Sequence, residues 1–212
     1  MQGREILIGV TGGIAAYKTA GLVSELVQAG AGVTVVLTEA AKEFIGAATF
    51  EALTGRPVPR GTFGDPDFPL GAHIELARRA EVMCVAPATA NFLAKAAVGM
   101  ADDLLSTLYL SFKGPVIVAP AMNAEMWSKS AVQRSVAQLL ADGVSVVDPE
   151  EGWLSCRDQG VGRMAANDKI RAAIEKALIQ HQRQTGRPLV FGEDRSTLDR
   201  LEARRHNGKP GL

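Results

Sequence analysis

The sequence has little of several features on which common classes of protein depend. Aromatic residues make up only 5% of the chain, which argues against recognition of single-stranded nucleic acid by base stacking. Lysine plus arginine and aspartate plus glutamate both number 23, so the formal net charge is zero and no polyanionic partner is indicated. No apolar run approaches the length of about 20 residues that a membrane-spanning helix needs. We therefore expect neither a nucleic-acid partner nor a membrane partner.

Cysteine is also scarce. The chain has only two, Cys84 in an apolar stretch and Cys156 in a polar one, and such a pair does not make a disulfide framework. This pattern favours a reducing, cytoplasmic setting. With 212 residues, of which 47% are hydrophobic, the chain is long enough to bury one core. We predict a single folded domain over residues 1–180, followed by a disordered polar tail over residues 181–212 that lacks apolar periodicity.

Short apolar runs alternate with helical patterns along the chain. The runs predict strands at residues 6–10, 33–37, 82–86, 116–119 and 144–147. Helical periodicity predicts helices at residues 14–29, from 39, and at 73–80, 91–98, 103–112, 128–141 and 168–180. Strands that are apolar throughout and separated by helices indicate a parallel sheet covered on both faces. The predicted fold class is therefore α/β, a single-domain Rossmann-like (flavodoxin-like) sheet, with long loops at residues 55–71 and 149–162.

Gly12 and Gly13 follow the first strand and open a helix, which is the geometry of an anion site. A plain tight turn is the alternative, because two glycines are a weak signal. The spacing of a dinucleotide-binding fingerprint is missing, and Thr38 ends the second strand where a ribose-binding acid is expected. A mononucleotide phosphate or a ribityl chain therefore fits better than NAD.

Small or polar residues also end the first, third and fourth strands. Thr11 ends the first, and the third runs into Pro87, Ala88, Thr89, Ala90 and Asn91. There a flat ring can lie against the backbone, although a capped helix start is about equally consistent with that segment. Asn123 follows the fourth strand, where its amide suits the carboxylate and amine of an amino-acid-like substrate. The alternative role of Asn123 is an N-cap.

Two further residues are candidates for proton transfer. His73 is the only histidine near this rim in the folded part of the chain, although a structural role is the more common one for a lone histidine. Cys156 lies in a glycine-rich segment that can form a flexible flap, with Arg157 beside it to favour a thiolate, although a loop thiol can be inert. Cys84, inside an apolar strand, is most simply a core residue.

Five blocks of sequence, taken in order, make the chain recognisable. They are GVTGGIAAYK at 9–18, GAHIELA at 71–77, PATAN at 87–91, PAMNAEMW at 120–127, and the segment around Cys156 that ends in GRM at 162–164. In these blocks the chain resembles the homo-oligomeric flavin-containing cysteine decarboxylases. Within that family, it is most similar to the branch that acts on phosphopantothenoylcysteine in coenzyme A synthesis.

The resemblance implies bound FMN and a homo-oligomer that is a trimer or a multiple of trimers, with His73 near a subunit contact. It implies that His73 is the essential base, that Asn123 holds the substrate carboxylate and that Cys156 is the proton donor on a flap over the substrate. The implied flavin contacts are Gly12, Gly13, Ile14, Thr38 toward the phosphate, Pro87, Ala88, Thr89, Ala90, Asn91 and Ala121. The implied substrate contacts beside Asn123 are Met122 and Met126.

Two positions depart from the family pattern. Phe92 stands where a small hydroxyl residue is usual, and Arg157 stands where a glycine after the cysteine is usual. Other functions remain open: a peptidyl-cysteine decarboxylase of the same family, a flavin prenyltransferase of related fold, or a non-catalytic flavoprotein that serves as a regulatory subunit.

Overall fold

The computed structural model describes residues 1–62 and 65–185, with side chains to residue 183. Its sheet strands are β1 (Glu5–Val10), β2 (Gly32–Leu37), β3 (Val82–Ala88), β4 (Val116–Pro120) and β5 (Ser145–Val146). The strand order in the sheet is β2-β1-β3-β4-β5, and every two neighbouring strands run parallel. The sheet has the predicted flavodoxin-like arrangement.

The helices of the described residues connect these strands or follow them. They are α1 (Ala16–Gln28), α2 (Glu39–Lys42), α3 (Ala47–Thr54), α4 (Ala72–Arg79), α5 (Ala90–Val98), α6 (Leu104–Ser111), α7 (Ala124–Ser128), α8 (Ser130–Ala141) and α9 (Asn167–Thr185). None of them is long and apolar enough to cross a membrane.

Alternate residues of each central strand face opposite sides of the sheet, and both sides are buried. In β1, Ile6 and Ile8 pack in the core that α1, α3 and α9 complete, whereas Leu7 packs in the core of α4, α5, α6 and α8. These three side chains are at most 1% exposed, as expected for a parallel sheet with helices on both faces. The presence of helices on both faces of the sheet confirms the predicted architecture.

The predicted strand ends at two prolines were wrong by one or two residues. The third strand continues through Pro87, which follows a cis peptide bond after Ala86, and the fourth includes Pro120. The ladder between β3 and β4 shifts register after Val85, so the missing N–H of Pro87 falls where regular pairing is already interrupted.

Other boundaries also differ from the sequence-based expectation. The helix predicted over residues 128–141 begins instead at Ser130 as α8, because Lys129 has an extended backbone (φ −63°, ψ 130°), and the short helix α7 before it was not predicted. The fifth strand has two residues rather than four. The last helix continues to Thr185, so residues 181–185 of the predicted tail are helical, and the rest of that tail lies outside the described residues.

The segment predicted as a long loop at residues 149–162 is instead an antiparallel hairpin. Its strands are β6 (Glu150–Trp153) and β7 (Gln159–Arg163). Glycines at Gly152, Gly160 and Gly162 break the alternation of apolar and polar residues by which a strand is recognised in a sequence. The hairpin lies over the carboxyl edge of the sheet, where Met122 after β4 bonds to β7.

Candidate active site

A cavity of about 420 Å³ lies at the carboxyl edge of the sheet, between the turns that follow β1, β3 and β4 and the hairpin. Its volume is typical of a small-molecule site. The lining residues are Gly12, Gly13, Ile14, Ala15, Tyr17, Lys18, Thr89, Ala90, Ala121, Met122, Asn123, Met126, Trp153, Leu154, Ser155, Gly162, Arg163 and Met164. The structure thus brings together nine residues of the predicted site: Gly12, Gly13, Ile14, Thr89, Ala90, Ala121, Met122, Asn123 and Met126.

The turn after β1 is shaped by its two glycines. A Cβ on Gly12 would collide with Ala40, including its backbone, so only glycine allows α2 to approach this closely. Gly13 faces open space apart from Thr89, whose Cγ2 lies 3.5 Å from where a Cβ would stand. Helix α1 begins beyond this turn with no side-chain cap. The N–H groups of Ala16 and Lys18 donate to carbonyls of this turn, whereas those of Gly12, Ile14 and Ala15 donate to none of the described residues and suit an anionic or polar ligand.

Thr11, predicted as one of the polar residues on the rim, is buried and bonds only to the protein. Its hydroxyl donates to the carbonyl of Pro87 at 2.7 Å and accepts from the backbone N–H of Thr89 at 3.0 Å. Ala121 N–H in turn donates to the carbonyl of Ala88 at 3.1 Å. These bonds fix the three turns relative to one another, so the role of Thr11 is to hold the wall of the cavity.

Four predicted flavin contacts are not among the residues that line this cavity. Pro87 and Ala88 are buried at the end of β3. Thr38 caps α2 through Ala41, and Asn91 is an exposed residue in the first turn of α5. The capped helix start weighed for this segment is present, with Thr89 as the cap, whose hydroxyl accepts from Phe92 N–H at 3.5 Å.

Asn123 serves as an N-cap and also faces the cavity. Its Oδ1 accepts a hydrogen bond of 2.7 Å from the backbone N–H of Met126, which starts α7. The Nδ2 group makes no hydrogen bond to the described part of the chain and remains able to donate to a ligand. The two roles weighed from the sequence are therefore compatible, because they use different atoms of one amide.

Cys156 lies at the exposed tip of the hairpin, next to Ser155, which lines the cavity. The tip is a three-residue loop in which Arg157 N–H bonds to Leu154 and Leu154 N–H bonds to Asp158. Arg157 has φ of 64°, in the left-handed region that favours glycine. The departure noted at this position therefore keeps the turn geometry that a glycine would adopt without strain.

The other cysteine has a different character. Cys84 lies in the middle of β3 and is fully buried. Burial raises the pKa of its thiol to about 12, so it stays protonated and unreactive. The prediction of a core role for Cys84 is confirmed.

His73 lies elsewhere, at the start of α4 beside the long loop. It lines a separate cavity of about 480 Å³ that is formed mainly by residues 65–72. The Nδ1 atom is buried and has no hydrogen-bond partner among the residues of the structure. Within one chain, His73 therefore does not line the cavity that contains Asn123.

Nine lining residues were not among the predicted site residues: Ala15, Tyr17, Lys18, Trp153, Leu154, Ser155, Gly162, Arg163 and Met164. In the helix predicted over residues 14–29, Lys18 lies four residues after Ile14, one turn farther along the same face, so helical spacing was the available signal. Trp153 is 69% exposed although it lines the cavity, and the pattern of its segment gave no indication of a strand.

Comparison with known proteins agrees with this geometry. Residues 1–179 match the family model described as Flavoprotein. The coenzyme A biosynthesis bifunctional protein CoaBC of Haemophilus influenzae is 39% identical over 217 residues, covering 100% of this chain and 54% of that protein. CoaBC of Bacillus subtilis is 39% identical over 220 residues, covering 100% and 53%. The chain therefore spans about half the length of these curated relatives.

Solved structures show the same likeness. The FMN-dependent cysteine decarboxylase SpaF is 37% identical, with a TM-score of 0.69, and the match covers 84% of this chain and 97% of that one. A cysteine-to-serine variant of PPC decarboxylase complexed with pantothenoylaminoethenethiol is 28% identical, with a TM-score of 0.71, covering 82% and 98%. Because the family model spans nearly all of the described fold, the chain belongs to the Flavoprotein family.

Proposed function

We propose that this chain catalyses the FMN-dependent decarboxylation of phosphopantothenoylcysteine to phosphopantetheine, a carboxy-lyase step of coenzyme A biosynthesis. One observation carries the proposal: a single cavity joins the glycine turn after β1, the amide of Asn123 and the hairpin that bears Cys156. The similarity to the CoaBC proteins and to PPC decarboxylase supports it. The proposed setting is the cytoplasm, where a thiol substrate stays reduced.

FMN fits the residues at one end of this cavity. The uncapped start of α1 and the open side of Gly13 suit a polar chain, and the exposed side chain of Ile14 with Ala90 and Ala121 offers an apolar wall for a ring. When bound there, FMN supplies a reversible two-electron acceptor, which allows the cysteine side chain to become a thioaldehyde that stabilises the carbanion left by CO₂.

The remaining chemistry falls to side chains of this chain. We assign Asn123 to the substrate carboxylate, because its Nδ2 group is available as a donor toward the cavity. Met122 and Met126 line the wall beside it and offer the substrate an apolar contact. Cys156, at the tip of the hairpin, delivers a proton to the carbon that loses CO₂, and His73 removes the proton of the substrate thiol.

His73 acts on the same substrate only if a second subunit brings it there, because within one chain it lines another cavity. We therefore propose a homo-oligomer, a trimer or a multiple of trimers, in which His73 of one protomer completes the site of its neighbour. The exposed apolar side chains of Val98, Met100 and Leu110 support the stretch of residues 94–110 as the contact surface.

The oligomer proposal has a direct test. The variants His73→Asn and Cys156→Ser, neither of which should form finished product alone, are co-expressed with different affinity tags and purified through both. Mixed oligomers should recover part of the wild-type turnover, because some sites combine an intact histidine with an intact cysteine. Light scattering that shows a monomer at assay concentration, or mixed oligomers without activity, contradicts the shared site.

The reaction itself is tested by incubating the purified protein with phosphopantothenoylcysteine and measuring CO₂ release together with the flavin spectrum. Stoichiometric CO₂ and phosphopantetheine are expected. The 37% identity to SpaF makes a cysteine decarboxylase for another substrate, such as a peptide with a terminal cysteine, the second candidate. Turnover of the peptide alone would favour that candidate, and turnover of neither would favour a non-catalytic flavoprotein.

A further inference from the structure

A second cavity, of about 610 Å³, adjoins the proposed active site. The two cavities share Tyr17, Lys18, Arg163 and Met164 in their walls, so a ligand of sufficient length extends from one into the other. The second cavity lies between α1 and the start of α9. Thr38, which was assigned to the phosphate end of the flavin, lines neither cavity.

The cationic side chains around this second cavity differ in whether they are already paired with a carboxylate of the protein. Glu150 accepts from Arg163 at 2.8 Å, from Lys169 at 3.0 Å and from the backbone N–H of Ala166 at 3.2 Å. These partners hold the pKa of Glu150 at about 2, so this carboxylate keeps both cations occupied at neutral pH. The other acidic group that lines the cavity is Asp168, which is exposed to solvent.

Lys18 is the exception. Its side chain lines both cavities and is partly buried, but it makes no ion pair or hydrogen bond to residues 1–62 or 65–183. An ammonium group that has no partner in the described chain gains from an anionic ligand, especially one with several acceptor oxygens. The phosphate at the far end of phosphopantothenoylcysteine is such a group, and the reacting cysteine end would lie beside Asn123.

We propose that Lys18 binds the phosphate of the substrate and that the second cavity holds the phosphorylated end of the pantothenoyl arm. This inference rests on the proposed function and extends it by naming a residue that determines specificity. A peptide substrate carries no phosphate in this position, so Lys18 favours the phosphorylated substrate over the peptide. FMN also carries a phosphate, and the test below separates the two.

The test measures the affinity for the product pair phosphopantetheine and pantetheine by calorimetric titration of the FMN-loaded protein. Wild type should bind phosphopantetheine at least about tenfold more tightly, because a charge-assisted hydrogen bond to phosphate is worth about 1.5–3 kcal/mol. Lys18→Met and Lys18→Gln should lose that preference while their affinity for pantetheine is unchanged. Lys18→Arg should keep most of it. The exposed Lys113, which precedes β4 at the opposite edge of the sheet, provides the control Lys113→Met.

Several results would overturn the assignment. One is a wild type that binds phosphopantetheine and pantetheine equally, and another is Lys18 variants that keep the full preference. A third is Lys18 variants whose affinity for FMN falls while their affinity for riboflavin, which lacks the phosphate, is unchanged. The last result would assign the lysine to the flavin phosphate. Turnover is measured on the same samples. A protein that prefers phosphopantetheine through Lys18 but releases no CO₂ refutes the proposed reaction and not the phosphate site.

Discussion

The backbone N–H of Met122 donates a hydrogen bond of 3.0 Å to the carbonyl of Gly162, and this bond joins the hairpin to the turn that carries Asn123. The two segments are also packed closely at Gly162 and Gly160 of the hairpin. A Cβ on Gly162 would collide with the Met122 carbonyl oxygen, and one on Gly160 would lie 2.8 Å from Cβ of Ala124. Both glycines are therefore required by the close approach of the hairpin.

Replacing Gly162 with alanine should displace the hairpin from this turn, because the obstructing atom is backbone and cannot rotate away. We expect a loss of about 1–3 kcal/mol in the free energy of unfolding, as for other overpacked sites, and a larger KM for the substrate. Urea unfolding and steady-state kinetics measure the two effects. Gly61→Ala, where a Cβ has no neighbour within 4 Å, is the matched control. Equal stability of the two variants would contradict the prediction.

Replacing Thr11 with valine should destabilise the rim by about 2 kcal/mol, because a buried carbonyl and a buried N–H both lose their partner. Thr19→Val should cost less. Its hydroxyl donates to the carbonyl of Ala86 and makes no other hydrogen bond to the described residues. Thr11→Ser keeps the hydroxyl and should stay close to wild type. A Thr11→Val protein with wild-type unfolding free energy would show that water replaces the hydroxyl.

Arg157→Gly should raise the free energy of unfolding by up to about 1 kcal/mol, because the left-handed backbone at φ 64° is unfavourable for any residue with a Cβ. Arg157→Ala separates the two properties of this residue, since it removes the charge and keeps the Cβ. If alanine stabilises the protein as much as glycine does, the effect comes from the charge rather than from the backbone.

Cys156→Ser should release CO₂ but fail to complete the product. A serine hydroxyl is a much weaker acid than a thiol, so the delivery of the proton to carbon slows more than the earlier steps. Mass spectrometry should then find a decarboxylated compound that lacks two hydrogens relative to phosphopantetheine. Ser155→Ala, the adjacent cavity residue, is expected to finish the reaction. Normal product from Cys156→Ser would mean that the thiol is structural.

The ion pairs of Glu150 should make stability depend on pH in the acid range. Its pKa falls from an ordinary 4.5 to about 2 in the folded state, through Arg163, Lys169 and the N–H of Ala166. The stabilisation is therefore complete above pH 4.5 and is lost as the pH falls toward 2. Since surface ion pairs are screened by solvent, we expect a contribution of no more than about 1 kcal/mol. Unfolding of Glu150→Gln between these pH values should lack this dependence, whereas Glu151→Gln should retain it.

Apolar runs were enough to predict the parallel sheet, because buried strands such as residues 6–10 are apolar on both faces. The hairpin was missed since its residues are mostly exposed and its glycines, such as Gly162, are set by contact with a distant segment. The four-residue spacing from Ile14 was the available signal for Lys18, but it could not show that this lysine lines two cavities. Its two cavities form only when α1, the hairpin and the start of α9 come together.

The position of β1 in the middle of the sheet has a consequence for biosynthesis. Ile6 pairs with Val33 on one side and with Val82 on the other, so one edge of this apolar strand stays without its partner until more than seventy further residues have been made. A nascent chain that stops before β3 exposes that edge on the ribosome, where it can pair with other chains. Chaperone capture of nascent chains should therefore be strongest before β3 emerges.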